Sequence, residues 1–384
     1  MLIVSSLVLF SLGQLTRISI PDKPVFFYLY ELFVICITGI LFLNYRYKPL
    51  QDTLWKPVLL FFGWILVSFT ISVWFYTFEQ NIVAFMYYLR LLLYFLFFIY
   101  LRYYFLKEKH LTQSPIMLHV TTVWIIATSF VQYFLYQNLG NLAYLGWDPH
   151  LYRVVGLFFD PPVTVSVLIL LVLYYLFEAQ RNHVWNHMWT YVLLILPLLI
   201  LSFLTYSRGG FLGILAVCTL YIVKKRNWKV ILVGVLIILG GMILIPKGSS
   251  EGINLLRTTS IEARIDDYEK GLRIWKKNPL TGIGYNHIRY EKDIYEEQLF
   301  YGPYNPSHGS TAFHSSFLVI LVTGGIIGFA FYIWMIINIA RISEYMMYAT
   351  VFLSVVSVFD NVLLHPLVLY MLFLLEGFRR KDTN

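Results

Sequence analysis

Leu91-Leu92-Leu93-Tyr94-Phe95-Leu96-Phe97-Phe98-Ile99-Tyr100-Leu101 contains no charge and no turn former. It lies in a longer apolar run from about 82 to 105. A surface helix of a soluble domain shows one polar face, whereas a helix that is apolar all round belongs in lipid or deep inside a bundle. At about 1.5 Å per residue, such a run crosses a hydrocarbon core of about 30 Å. Arg90 precedes the quoted stretch. A charge at that depth is costly unless it is paired or faces a wet cavity, so Arg90 is either structural or lines a substrate path.

Similar runs recur along the chain, near 2–18, 25–44, 57–76, 116–136, 163–178, 188–206, 208–224, 229–246, 314–339, 343–361 and 364–378. Of the 384 residues, 59% are hydrophobic and 13% charged, with a mean hydropathy of +0.68. A soluble domain carries about 25% charge. The expected fold is therefore all-α: a polytopic membrane protein with about twelve transmembrane helices and one large extracytoplasmic loop containing an amphipathic helix. Residues 1–246 form an N-terminal bundle of about nine helices, 247–313 the loop, and 314–384 about three helices with a cytoplasmic tail. The run from Leu2 to Leu12 lacks a basic leader. Gly13-Gln14-Leu15-Thr16-Arg17 follows it in place of a small-residue cleavage site, so it reads as a first membrane helix.

Charge sets the expected orientation. One alternate set of loops, with the tail, holds fifteen Lys and Arg, while the other short loops hold only Arg17, Lys23, Arg153 and Arg208. By the positive-inside rule both termini are cytoplasmic. Arg153, Arg208 and the long loop then share the outer face. The net charge of +8 thus has a topological meaning, and no nucleic-acid partner is expected. Cys36 and Cys218 sit in apolar runs and make neither a disulfide framework nor a metal site.

The loop carries nine basic and nine acidic residues, so it is no simple cationic patch. Residues 261–277 predict an amphipathic helix with Ser260 as N-cap and an apolar stripe of Ile261, Ile265, Tyr268, Leu272 and Trp275. This helix would lie on the membrane or dock on the bundle. Arg264 falls beside the stripe, while Arg273 points more toward water. Asn278-Pro279 ends the helix, and Gly282 and Gly284 supply a tight turn. That Gly-x-Gly is no nucleotide fingerprint, since no strand is expected before it and no helix after it.

Arg208 stands between two apolar segments. A snorkelling arginine is one reading. The other is an anion site, because a guanidinium beside an outward helix N-terminus suits a phosphate, and Gly209 and Gly210 allow close approach. His314, where the loop returns to the membrane, is either an interfacial surface residue or a general base near neutrality. His308 is its competitor. Asp-x-Asp, His-Glu-x-x-His, Walker and Gly-x-Ser-x-Gly patterns are all missing from the sequence.

Thr205-Tyr206-Ser207-Arg208-Gly209-Gly210-Phe211-Leu212-Gly213 resembles a signature of the O-antigen ligase and O-antigen polymerase family. Arg264, followed at a similar distance by Pro279 and Gly282-Ile283-Gly284, resembles its loop motif. Phe313-His314-Ser315-Ser316-Phe317-Leu318, with Gly324-Gly325-Ile326-Ile327-Gly328, resembles its His-Asn motif and the helix after it, with Ser315 where asparagine is usual. Arg153-Val154-Val155-Gly156-Leu157-Phe158 before Asp160-Pro161 is similar to an outer-loop pattern, with Pro162 where asparagine is frequent. These motifs cover roughly residues 150–330.

The resemblance implies a metal-independent glycosyltransferase that needs no cofactor. Its donor would be a glycan on undecaprenyl diphosphate at the outer face of the bacterial cytoplasmic membrane. Arg208 and Arg264 would bind the diphosphate, and His314 would take the proton of the attacking acceptor hydroxyl. Arg153, Arg90, Arg273 and His308 are secondary candidates. A glycan or other acceptor, the bilayer and other polysaccharide-assembly membrane proteins are the implied partners. Polymerisation of repeat units of a surface polysaccharide is the first reading, since nothing identifies a lipopolysaccharide-core acceptor. Ligation to another acceptor is the second. A transporter or flippase of lipid-linked sugars is the rival class, but it predicts an internal repeat that the sequence does not show.

Overall fold

The computed structural model describes residues 1–20, 25–107, 114–145, 150–182, 188–226, 259–297 and 312–379. The segment near 229–246 and His308 lie outside the described residues. Helices occupy the other eleven apolar segments: α1 (Leu2–Ser11), α2 (Leu29–Tyr45), α3 (Trp55–Ser72), α4 (Phe78–Lys107), α5 (Ser114–Leu135), α6 (Pro161–Asn182), α7 (Met188–Leu204), α8 (Arg208–Lys225), α11 (Ser316–Ala340), α12 (Glu344–Phe359) and α13 (Pro366–Phe378). The loop contributes α9 (Thr259–Lys277) and α10 (Ile288–Glu297). Among the described residues, five helices are long and apolar enough to cross a membrane: α3, α4, α5, α6 and α11. Side chains such as Leu43, Trp74, Phe75 and Leu135 are largely exposed. Lipid is the environment in which so many exposed apolar groups carry no penalty.

Two expectations need correction. The first segment does not stay helical to residue 18. Gly13 takes a left-handed φ of +53°, and a Cβ there would lie 2.3 Å from the Leu157 carbonyl oxygen, so the turn that ends α1 accepts only glycine. The chain then pairs β1 (Arg17–Ser19) with β2 (Phe26–Tyr28) in an antiparallel hairpin, so among the described residues the fold is all-α apart from this hairpin. Second, a helix does follow the Gly-x-Gly turn, since α10 begins at Ile288.

Helix α8 packs on α12, α6 on α7 and α13, α3 on α11, and α4 on α2 and α13. Lys225 at the C-terminus of α8 pairs with Glu344 at the start of α12. The opposite ends of these helices, Arg208 and Asp360, therefore meet at one pole of the bundle.

Helix α9 docks on α11 in the predicted place but with a shifted face. Asp267, Gly271 and Ile274 are buried, whereas Ile261, Ile265 and Leu272 are 45%, 54% and 39% exposed. Gly271 admits Leu318 of α11 so closely that a Cβ would lie 2.8 Å from it. Of the predicted apolar stripe, Tyr268 and Trp275 pack against the cluster of Ile274 and Leu318, while buried polar contacts and close backbone approach turn Ile261, Ile265 and Leu272 outward.

The glycine motifs explain one another. Gly282 (φ +74°) would place a Cβ 2.4 Å from the Thr323 carbonyl carbon, and Gly325 (φ +64°) would place one 2.2 Å from the Leu280 oxygen. Ile283 and Gly284 donate their N–H groups to the Val322 and Thr323 carbonyls, whose helix is kinked at Gly325. Ser68 of α3 donates to both the Thr281 and Thr323 carbonyls. The turn is thus a clasp joining the loop to α11 and α3. His287 fastens it further: it is fully buried, stacks on Tyr76 and reaches Asn81 through Nε2.

Candidate functional site

Ser207 caps α8 by accepting from the Gly210 N–H. Tyr206 in the preceding turn has φ +50°. Buried Arg153 braces that turn, donating from Nε to the Thr205 carbonyl (2.9 Å) and from Nη2 to the Tyr206 carbonyl (3.4 Å). Arg153 therefore positions the turn that presents Arg208. The close approach allowed by Gly209 and Gly210 is used by protein: Cβ positions there lie 3.6 Å from Asp360 Oδ2 and 2.8 Å from Val165.

Helix α12 ends at Asp360, which is buried. Arg264 reaches it from α9, donating from Nε to the Phe359 carbonyl (2.9 Å) and from Nη2 to both Asp360 oxygens (3.0 and 3.3 Å). Arg208 lies within electrostatic reach of Arg264 and Asp360. Burial pushes the Asp360 carboxyl above its ordinary range, against the opposing pull of Arg264.

His314 precedes α11, with 42% of its side chain exposed. Its Nδ1 is hydrogen-bonded to Asp267 Oδ2, which also accepts the His314 backbone N–H. Lys292 of α10, itself buried, donates to Asp267 Oδ1 at 2.9 Å. The Asp267 hydrogen bond raises the His314 pKa despite its partial burial. Burial alone would raise Asp267, but His314 and Lys292 together hold it low. With Nδ1 occupied, Nε2 is the nitrogen left for a reacting proton, the arrangement of a base oriented by a carboxylate. His314 also feels Asp360 and Arg264, which joins the two halves into one cluster.

Arg208, Arg264, Arg153 and His314 are thus brought together. Arg273 is not: it is exposed and pairs with Glu269 one turn away (3.4 Å). Arg90 is both structural and cavity-lining. It forms a two-pronged pair with Glu31 (2.7 and 2.9 Å) and lies against a cavity of about 220 Å³ that borders the cluster at Ala312 and Asn361. Among the described residues, no three His, Cys, Asp or Glu side chains gather as a metal site.

Sequence reasoning passed over Asp267, Lys292 and Asp360. Asp360-Asn361 did carry a signal, a carboxylate and an amide closing an apolar segment on the same expected face as Arg208. Asp267 carried none, being one of nine acidic residues in the loop.

Residues 190–333 match the family model described as O-antigen ligase. Over that stretch, a little over a third of its length, the chain is similar to the O-antigen ligase family. The match holds Arg208, Arg264, Asp267, Lys292 and His314 together with the glycine clasp; Arg153 and Asp360 fall outside it. An O-antigen ligase of Salmonella typhimurium is 28% identical over 149 residues. That similarity covers 36% of this chain and 37% of the relative's length. In this chain Ser315 stands after the histidine. It caps α11 by accepting from the Leu318 N–H and donates to the Ser357 carbonyl, tying the start of α11 to α12.

Proposed function

We propose that this protein transfers a glycan from an undecaprenyl-diphosphate carrier to a hydroxyl acceptor at the outer face of the bacterial cytoplasmic membrane. The observation that carries the reading is the convergence of Arg208, Arg264 and the Asp267–His314 pair at one pole of the bundle, from three separate stretches of sequence. His314 Nε2 takes the proton as the acceptor oxygen attacks the anomeric carbon and the bond to the diphosphate breaks. A positioned base contributes about 10²–10⁴-fold. Arg208 and Arg264 stabilise the charge that develops on the leaving diphosphate. Fixed donors in a site shielded from water do this without reorganisation. Arg153, Arg208, Arg264 and Lys292 outnumber Asp267 and Asp360 by two charges, which matches a diphosphate diester dianion.

With the pole that carries Arg208 outside, both termini lie in the cytoplasm. The family description and the printed name of the Salmonella relative favour ligase-type transfer to a separate acceptor over polymerisation. This reverses the order suggested by the sequence alone. Purified protein given a defined lipid-linked repeat unit, with and without an added acceptor, tests both readings. Transfer off the carrier marks a ligase, and chain growth on the carrier marks a polymerase. Activity that persists in both Arg264→Ala and His314→Ala would refute the proposed mechanism.

A further inference from the structure

The cavity beside the charge cluster has chemistry that the proposed reaction has not used. It is walled by rings, among them Tyr94 and Tyr285. A tyrosine ring offers an apolar face with a polar handle at its edge, which suits the mixed CH and hydroxyl surface of a sugar. The walls are held in place. Tyr94 donates to Glu31 (2.6 Å) and shares a hydrogen bond with Tyr30 (2.9 Å), while Glu31 is clamped by Arg90. At about 220 Å³ the cavity is below the roughly 300–1,000 Å³ of drug-sized sites, so it suits one ring rather than a chain.

Its unused polar groups say what kind of ring. Asn286, Arg289 and Tyr285, each with a polar side chain, line the cavity. None of the three has a side-chain hydrogen bond or ion pair among the described residues. His365 Nδ1 is buried and likewise has no hydrogen-bond partner among the described residues. A buried polar atom such as His365 Nδ1 is rarely left unmatched without a reason, and Asn286 and Arg289 are half-buried, so their polar groups can be reached from the cavity. Among the charges in the wall, Arg90 is balanced by Glu31 and Arg289 by nothing described, which leaves a single positive charge. That suits a carboxylate better than a diphosphate.

The cavity also lies in the right place. Its wall includes Ala312, two residues before His314, and Asn361, next to Asp360. Asn361 is held by the Ser316 hydroxyl (2.8 Å). The turn that presents Tyr285 and Asn286 is the glycine clasp, and Asn286 has a left-handed φ of +63°.

We propose that this cavity is an acceptor subsite for one carboxylated sugar, a hexuronate or a chemically equivalent acidic monosaccharide, with Arg289 receiving the carboxylate and the tyrosine rings stacking on the sugar. The proposal rests on the glycan-transfer reading for the word acceptor, but the binding it specifies does not depend on catalysis.

The test measures calorimetric binding to the purified full-length chain in nanodiscs. The probes are glucuronate- and galacturonate-terminated trisaccharides, each paired with its carboxyl-reduced counterpart. At least one acidic probe binds about 10–150-fold tighter than its reduced form, the worth of a hydrogen bond to a charged group. Arg289→Gln removes the preference. Asn286→Asp, which keeps a residue tolerant of the left-handed backbone, opposes it by placing a negative charge in the cavity. His314→Ala retains it. Thermal unfolding checks that each variant is folded. Equal binding of acidic and reduced probes, or a preference that survives both cavity variants, overturns the proposal. Acid-selective binding without any glycan transfer would instead count against the proposed function and leave the subsite standing.

Discussion

Arg264 has two jobs that a double substitution separates. In the resting protein it neutralises Asp360, which is buried; in the proposed reaction it also stabilises the departing diphosphate. Arg264→Gln leaves a carboxylate beside α12 that is 10% exposed at its side chain and without its principal partner. Removing one member of a buried pair costs about 3–5 kcal/mol. Arg264 keeps 21% of its side-chain surface, so we expect about 3 kcal/mol, the low end of that range. Arg264→Gln with Asp360→Asn removes both charges and restores most of that stability, since the two amides can still hydrogen-bond. Activity does not return. A lost hydrogen bond to a charged group is worth about 1.5–3 kcal/mol, or about 10–150-fold in rate. Thermal unfolding in nanodiscs reads the first quantity, and single-turnover transfer from a lipid-linked donor reads the second. If the double variant recovers wild-type transfer along with stability, Arg264 serves only to satisfy Asp360 and its role at the diphosphate is wrong.

Asp267→Asn is expected to move the acid limb of the transfer pH profile to lower pH. The raised His314 pKa depends first on that carboxylate, and the base form exists only above it; an unmoved limb would separate His314 from the limb. Gly282→Ala should destabilise the protein by about 2–4 kcal/mol, combining a left-handed backbone with an overpacked contact. The control Gly39→Ala, where a Cβ meets nothing within 4 Å, should be neutral or stabilising in thermal unfolding. His287 is neutral in the fold because burial lowers its pKa to about 4. Unfolded chains bind its proton from about pH 6.5 downward, so stability is full above that pH and falls as pH drops toward 4, by up to about 3 kcal/mol. His287→Asn should make that acid slope shallower in pH-dependent unfolding; an unchanged slope would assign it to other groups.

Helix existence was legible because lipid imposes a simple demand: uninterrupted apolar runs of sufficient length. Eleven predicted segments contain helices for that reason, and hydropathy alone placed Arg208 at a helix start and His314 two residues before one. The amphipathic helix over 261–277 was also legible, through its cap and its period. Its docking face was not. Apolar periodicity assumes that burial selects apolar side chains, yet α9 buries Asp267 and Gly271 and exposes Ile265. The α9 orientation follows from one charge pair, one backbone contact and the partners waiting on α10, α11 and α12.

The sequence by itself determined a helical membrane protein and supplied Arg208, Arg264 and His314 as candidates, because hydropathy and motif spacing are local along the chain. Only the tertiary structure decided what surrounds them. Asp267 and Lys292 come to His314, and Asp360 comes to Arg264, across separations of 25 to 96 residues. The cavity behind them is walled by rings drawn from five separate elements. Such neighbours leave no periodic trace in the sequence. They meet because helix packing and the glycine clasp bring them together.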